Sequence, residues 1–553
     1  MVTTARAYDA PTAQLYASYE ERIIGRDQVG ASRVFYDLAR AGRPLDEILG
    51  ETIRVHSPYT HVPYHQRIDN GVVRFVNNDH CLLSGSAALR LRRMVGKKHE
   101  LLPMAQTAWY VPTGLDPWSQ LLGKIPGHYA RTKYDVTKSD TFPLPTIHWE
   151  DQEPLKTEGP IEERLNHWLT LVQCGEVVQA YRVFLGLIAE PEHREAALAH
   201  LVFAGLIDVQ DRMYYNRSYT TGHKAYRARA TVQLVEAVGP RYEHSVFYAG
   251  VPDIAVGPRW YSNYEMAGEV AWRMLGEDDE RQKSSIAATP DLPPERRLLA
   301  NEAQLNAGET DMLLYALTKA PEPAYIEAIS ALLLAGKSAR AIVDVCQVAA
   351  SRLLIETGDP MGFAMPQHCA QYMNTLGWWY DRFDHPHRIK LLFVAGSFIA
   401  QTANWLKNSP GNGEGQTYAP REAASLSQAG LLAKLDDAIV RKVADESVAW
   451  TKAYLVAGHE RKPLVRTLAL GGAKHGNDTH NQEVCISLLE DYERNASPKR
   501  DAMLLAAAQH NAGHVKYGDS LEPYRRWAEA FGIDATGTSA DGDRDPSEAL
   551  LDD

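Results

Sequence analysis

Apolar side chains recur with a helical period along most of the chain beyond Pro160. In the segment PIEERLNHWLTLV they follow the i, i+3, i+4, i+7 spacing of one helix face, at Leu165, Trp168, Leu169 and Val172. Pro160 and the two glutamates after it suit a helix start, because acidic side chains in the first turn oppose the positive end of the helix dipole. Similar patterns predict helices at 176–189, 193–206, 223–238, 263–276, 310–318, 322–335, 338–356, 366–381, 387–406, 433–456, 480–492 and 501–511.

The first 150 residues have a different pattern. Segments such as ETIRVHSPYTHVPYH and GVVRFVNNDH carry Val, Thr and Phe broken by Pro, Asn and Gly, which is typical of short strands or extended loops. One helix is expected at about 80–95. We therefore predict a mainly α fold, with a smaller mixed region of short strands and loops at 1–150 and a large helical body at 151–535. The acidic segment 536–553 has few apolar residues and is expected to be disordered.

The composition narrows the class of protein. Of 553 residues, 45 % are hydrophobic and 23 % are charged, as in an ordinary globular enzyme. Lys and Arg total 58 against 70 Asp and Glu, and the net charge of -12 argues against non-specific nucleic-acid binding. The sequence has no run of about 18 apolar residues and no recognisable secretory signal, so no membrane association is expected. Five scattered cysteines without a CxxC pair are typical of a reducing compartment, so we expect a cytoplasmic protein.

Histidine is the residue type that most suggests chemistry in this chain. The sequence contains 20 histidines, and neutral imidazole is the commonest metal ligand in proteins. GxGxxG, GxxxxGK[ST] and GxSxG motifs are absent from the sequence, so nucleotide-binding and serine-hydrolase functions lack their usual support. A small-molecule substrate is therefore expected to meet a metal rather than a nucleotide cofactor.

The segment AKHGNDTHNQEVCISLLEDYE, residues 473–493, gives the sharpest metal signal. If a helix begins near Asn477 or Asp478, His480 and Glu483 stand at i and i+3 on one face and can bind one cation together. The alternative is that Asp478 caps the helix and Glu483 only favours its first turn.

Further histidines stand at or near predicted helix starts, although each could equally be a buried structural residue. His223 follows Gly222, His368 lies just inside a helix, and His80 follows an Asn-Asn-Asp turn. The remaining candidates are His56, His61 and His65 in a proline-bearing loop and the i, i+4 pair His510 and His514.

In their order and spacing, four segments resemble the questin oxidase-like proteins, as distant relatives. They are NDHCLLSGSAAL, TTGHKAYRARA, QHCAQYMNTLGWWYDRFDHPHR and the K-H-x-x-D-x-H motif before His480. The resemblance implies a largely helical fold and oxidation of anthraquinone-type aromatic polyketides, by ring cleavage or Baeyer–Villiger-like oxygen insertion. It also implies a mononuclear non-haem iron held by four histidines and a carboxylated lysine.

Carried over to this sequence, the family's ligands correspond to His80, His223, His368 and His480. The N-terminal ligand is open, because His61 or His65 could take the place of His80. The family's lysine, three positions beyond its histidine, is replaced by Glu483, which is itself a carboxylate. The replacement allows the same chemistry, a changed metal, or a site that has lost the family's activity.

These observations favour a metal-dependent oxygenase that uses O2 on an aromatic or polyketide-like small molecule. We expect Fe(II), with Mn(II) or Zn(II) as alternatives, and catalytic roles for His223, His368 and His480. A zinc or manganese hydrolase or lyase would use the same ligands, and a non-enzymatic helical scaffold is the third hypothesis. The sequence does not identify the source of electrons, and a homo-oligomer is possible.

Two groups of neighbouring residues are candidate substrate contacts. The aromatic run Tyr372, Trp378, Trp379 and Tyr380 could line an aromatic pocket, with core packing as the alternative. Lys224, Tyr226 and Arg227 could polarise a substrate oxygen or an anion, with a solvated helix face as the alternative.

Overall fold

The protein is mainly α-helical, which confirms the fold class predicted from the sequence. The computed structural model describes residues 8–57, 66–69, 72–75, 80–114, 152–174, 176–208, 222–255, 263–275, 297–357, 364–407, 420–476, 478–514 and 519–533. The predicted tail at 536–553 lies outside these residues.

The described part of the first 150 residues is itself mostly helical. Its helices are α1 (Ala10–Ile24), α2 (Gln28–Arg40), α3 (Leu45–His56), α4 (Cys81–Leu91) and α5 (Leu102–Gly114). One antiparallel hairpin joins β1 (Gln66–Asp69) to β2 (Val72–Phe75). The predicted strand-and-loop character of this region is not confirmed. In α1, for example, Tyr16, Tyr19 and Ile23 have helical spacing and are buried, a signal that tyrosine-rich composition obscures.

The helical body contains most of the elements. Its first part contains α6 (Ile161–Cys174), α7 (Val177–Ile188), α8 (Pro191–Leu206), α9 (His223–Val238), α10 (Glu243–Ile254) and α11 (Asn263–Leu275). The middle contains α12 (Ala307–Thr318), α13 (Ala324–Leu334), α14 (Ala339–Ile355), α15 (Ala364–Arg382) and α16 (Arg388–Lys407). The last part contains α17 (Gln428–Val440), α18 (Ala444–Val456), α19 (Arg461–Lys474), α20 (His480–Arg494), α21 (Asp501–Gly513) and α22 (Glu522–Phe531). Short 3₁₀ turns lie at Lys97–His99, Pro240–Tyr242 and Arg421–Ser425.

The single helix predicted at 433–456 is wrong, because the chain breaks there into α17 and α18. Lys442 adopts a left-handed backbone conformation, with φ of 60°, which no helix interior accepts. Its ammonium group donates hydrogen bonds to the carbonyl oxygens of Asn511 and His514, both at 3.0 Å. Through these hydrogen bonds, the segment between α17 and α18 is held against the end of α21.

The buried apolar core is continuous and includes residues from Tyr16 to Ala528. It crosses the boundary predicted near residue 150. Within this core, α16 is long and apolar enough to cross a membrane by length and composition, although 78 % of its most apolar window is buried inside the protein. None of the five cysteines, all of which are described, forms a disulfide.

Four helices form a closed ring inside this core. α4 packs against α9 and α20, and α15 packs against the same two helices. α9 is also held by α8, where Gly205 lies so close that an added Cβ would stand 2.6 Å from the carbonyl oxygen of Lys224. The ring brings the start of α9 and the starts of α4 and α20 to one place.

Candidate metal centre

Four histidines from the four ring helices meet in the core. His80 directly precedes α4, His223 and His480 are the first residues of α9 and α20, and His368 lies in the first turns of α15. Their ring centroids form a closed circuit: 5.2 Å from His80 to His223, 4.6 Å to His368, 5.4 Å to His480 and 4.8 Å back to His80. The structure thus brings together all four histidines that the resemblance selected.

The spacing of these imidazoles suits a shared cation. Single ligand nitrogens of His80, His223 and His480 lie within 4.8 Å of one another. Neither ring nitrogen of His223 has a hydrogen-bond partner among the described residues, although the side chain is buried. Buried polar atoms are nearly always satisfied, so both nitrogens of this imidazole are open to a partner outside the described residues, such as a water or a metal ion.

The protonation state of His223 also suits metal binding. Burial, and then the neighbouring His368, His80 and His480, hold the pKa of His223 well below its usual range. The imidazole is therefore neutral at pH 7, which is the form that binds a metal.

Glu483 supplies a carboxylate in the same helix as His480. Gln371 Nε2 donates to Glu483 Oε2 at 3.0 Å, while Glu483 Oε1 has no hydrogen-bond partner among the described residues. Burial raises the pKa of Glu483, because the charged form loses its hydration. Glu483 is 2 % exposed and stands in the first turn of α20. Asp478 Oδ1 accepts from the backbone N–H of His480 at 3.2 Å, as the capping alternative expects, so that alternative stays open.

A hydrogen-bond chain behind His480 fixes which of its nitrogens faces the cluster. Asp478 Oδ1 lies 2.9 Å from His480 Nδ1, and Asp478 Oδ2 lies 3.0 Å from His514 Nε2. An ionised carboxylate only accepts, so His480 is protonated on Nδ1 and carries its lone pair on Nε2. Burial opposes the charge on Asp478, yet His480 and His514 hold its pKa well below the usual range.

The chain continues through the end of α21. Gln367 Nε2 lies 2.9 Å from His514 Nδ1 and 3.3 Å from His510 Nδ1, and His510 Nε2 donates to the carbonyl oxygen of His480 at 2.8 Å. These groups lock His480 from behind in the manner of the outer ligand shell of metal sites. The sequence indicated the i, i+4 pair of His510 and His514 but not its link to Asp478.

The helix ends at the site favour negative charge. The N-terminal ends of α4, α9 and α20 converge there, and a helix N-terminus carries positive partial charge. Glu483 and Asp478 oppose this charge. A bound cation would depend on both carboxylates.

A small cavity, partly open to solvent and with room for about one water molecule, adjoins Glu483. Its wall includes Arg90, Tyr226, Arg229, Gln371, Asn374 and Glu483. The ring of Tyr226 is nearly parallel to that of His368, with an interplanar angle of 8°. None of the four histidines lines the cavity, and Tyr226 is the wall residue whose ring faces one of them, His368.

Several other residues that the sequence suggested for the site are not part of the histidine cluster. His61 and His65 fall outside the described residues, and His56 is buried at the end of α3. Trp379 Nε1 donates to the carbonyl oxygen of Ala199 and the Tyr372 hydroxyl to that of Leu206, so these two aromatic side chains belong to the core.

The remaining neighbours of the site are also buried. Trp378 and Tyr380 are less than a tenth exposed and are absent from the cavity wall. Lys224 and Arg227 are buried, so the alternative of a solvated helix face is wrong for both. Lys224 forms an ion pair with Asp208.

A second histidine group was not recognised from the sequence. His385 Nδ1 accepts from the backbone N–H of His387, so His385 Nε2 donates to His200 Nδ1 at 3.2 Å. Burial lowers the pKa of His200 to about 3. These imidazoles bond to one another amid Phe203 and Trp379, as structural core residues do.

No family model, no curated protein and no solved structure matches this chain.

Proposed function

We propose that the protein is a non-haem iron-dependent oxygenase that acts on an aromatic, polyketide-like small molecule with O2. The observation that carries the proposal is the closed circuit of four buried imidazoles beside the Glu483 carboxylate. The resemblance to the questin oxidase-like proteins supports the same reaction class.

Three of the proposed ligands, His80, His223 and His480, converge closely enough to share a mononuclear divalent metal. His80, His223, His368 and His480 would supply nitrogen ligands and Glu483 an oxygen ligand, a set compatible with Fe(II), Mn(II) or Zn(II). Iron, when bound, would supply the electron transfer that lets O2 react with an electron-rich substrate. Glu483 takes the place of the family's carboxylated lysine, because both present a carboxylate oxygen on a side chain.

The chain's own residues would perform binding and orientation. Asp478 holds His480 in the tautomer with its lone pair on Nε2, and Gln371 holds one oxygen of Glu483. Tyr226 presents an aromatic wall of the cavity next to His368. Because the cluster is buried, water would be excluded from the reacting groups.

Oxygen consumption tests this function. The full chain, reconstituted anaerobically with Fe(II), is mixed with 1,8-dihydroxyanthraquinone in air-saturated buffer, and an oxygen electrode records uptake. We expect uptake that depends on substrate and iron, that is absent from the zinc-loaded protein, and that is lost in His223→Ala but kept in His200→Ala. Activity in the zinc protein without O2 uptake would instead favour the hydrolase or lyase hypothesis.

A further inference from the structure

Lys442, in the segment between α17 and α18, binds the end of α21 with its ammonium group. Nζ donates to the carbonyl oxygens of Asn511 and His514, both at 3.0 Å. The last carbonyl groups of a helix have no partner within the helix and carry negative partial charge, so a cation next to them is stabilising. Hydrogen bonds from a charged donor are also stronger than neutral ones. Lys442 therefore anchors the end of α21.

The backbone of Lys442 is strained. Its φ of 60° lies in the left-handed region, where Arg26, with φ of 59°, is the other non-glycine residue of the described chain. Glycine adopts this conformation without a steric penalty, whereas a residue with a Cβ atom does not. Strain of this kind persists where surrounding contacts impose it, and it is frequent at functional sites. A lysine at a position that suits glycine indicates that the side chain itself has a role.

The end of α21 carries two groups that hold His480 in place. His510 Nε2 donates to the carbonyl oxygen of His480 at 2.8 Å. His514 Nε2 donates to Asp478 Oδ2 at 3.0 Å, and Asp478 Oδ1 accepts from His480 Nδ1 at 2.9 Å. His510 lies in the last turn of α21 and His514 directly follows it, so both contacts depend on where this helix end lies.

The charges around Lys442 also connect it to Asp478. The titratable groups of the described chain that face Lys442 are Asp478, His475, His510 and His514. Burial lowers the pKa of all three histidines, so they are mainly neutral at pH 7, while Asp478 is ionised. Burial lowers the pKa of Lys442 to about 7, against the attraction of Asp478. The ammonium form therefore prevails below pH 7 and the neutral amine above it.

We propose that Lys442 is a positioning residue of the metal centre, whose ammonium group holds the end of α21 so that His514 keeps Asp478 against His480. Without the ammonium group, the helix end would be less constrained, and His480 would be oriented less tightly for its metal. Groups outside the ligand set act on metal affinity in this way. This inference rests on the metal centre of the proposed function, but it requires neither O2 nor a particular substrate.

Competition for Zn(II) against a chromophoric chelator tests the proposal on the full chain. Zn(II) suits the same ligands and has no redox chemistry of its own. At pH 6.5 we expect Lys442→Met and Lys442→Gly each to weaken Zn(II) binding by about three- to tenfold, less than the loss of an outer-shell carboxylate. The advantage of the unmodified protein over Lys442→Met should shrink at pH 8, where Lys442 is mostly neutral.

Thermal unfolding separates this role from a purely structural one. Lys442→Gly relieves the backbone strain, so it should unfold at a higher temperature than Lys442→Met although both bind Zn(II) more weakly. The matched control is Arg26→Gly, which relieves the same strain just after α1 and should keep the Zn(II) affinity.

Unchanged Zn(II) affinity in both Lys442→Met and Lys442→Gly would overturn the proposal. Affinity that is lowered in Lys442→Met but restored together with stability in Lys442→Gly would also overturn it, because Lys442 would then act only on folding. The expected losses in a chain that consumes no O2 would support this inference and contradict the proposed oxygenase. An unmodified chain that binds neither Zn(II) nor Fe(II) would contradict the metal centre, and this role with it.

Discussion

The carboxylate of Asp478 lies 2.9 Å from Nδ1 of His480, two residues further along the chain. This contact makes Nε2 the nitrogen of His480 that can bind a cation. Because Asp478 also binds His514, it ties the start of α20 to the end of α21. Positioning of this kind governs how tightly a metal site holds its ion.

We predict that Asp478→Asn weakens metal binding by about 10–100-fold, the usual effect of removing an outer-shell carboxylate. The amide has nearly the same shape but no charge to hold the imidazole. Competition against a chromophoric chelator measures the affinity, and Asp384→Asn, at a fully exposed side chain, is the control. Unchanged metal affinity in Asp478→Asn would show that Asp478 does not position His480 for metal binding.

If Glu483 binds the metal as proposed, Glu483→Gln should lower metal affinity, because it replaces a carboxylate by a neutral amide of the same size. Glu493→Gln makes the same change at an exposed position of the same helix and should have no effect. The same competition assay compares the two variants, with far-UV circular dichroism to verify that both are folded. Equal affinities would show that Glu483 does not bind the metal.

The close approach of α8 to α9 should be intolerant of added volume. In Gly205→Ala the new methyl group would press on the backbone of Lys224, next to His223, and overpacking of this kind costs about 1–3 kcal/mol. Gly308→Ala, where the nearest atom lies 3.5 Å away in a helical first turn, should be neutral or slightly stabilising. Thermal unfolding compares them, and equal melting temperatures would contradict this packing account.

Asp491 should make stability depend on pH. Its pKa is about 8 in the folded protein against 3.8 ordinarily, so between these values unfolding releases a proton. The free energy of unfolding therefore falls as pH rises, with a slope of up to about 1.4 kcal/mol per pH unit from this group. Asp491→Asn should flatten the decline between about pH 5 and 8, as measured by urea unfolding. Identical pH profiles would show that Asp491 ionises normally.

Local sequence pattern predicts much of the helical body. The helix predicted at 338–356 is observed at Ala339–Ile355, because its apolar spacing is regular and its burial strong. The split at Lys442 was not predictable, since it is stabilised by carbonyl groups of Asn511 and His514, far along the chain. The helices before residue 57 were missed because their buried faces are mixed in composition.

The candidate site was likewise predictable only where its signals are local in the sequence. The i, i+3 spacing of His480 and Glu483 is local and was readable from the sequence. The meeting of His80 with His223 depends on α4 packing against α9, for which the residues alone give no signal. The link between Arg90 and Glu490 spans 400 positions and was likewise invisible.

The metal content of the chain tests the central claim most directly. Elemental mass spectrometry is applied to tag-free, chelator-free protein after anaerobic addition of Fe(II) and removal of excess metal. We predict about one iron per chain in the unmodified protein and in His200→Ala, and none in His223→Ala. No bound metal in the unmodified chain, or equal iron in His223→Ala and His200→Ala, would contradict the metal centre.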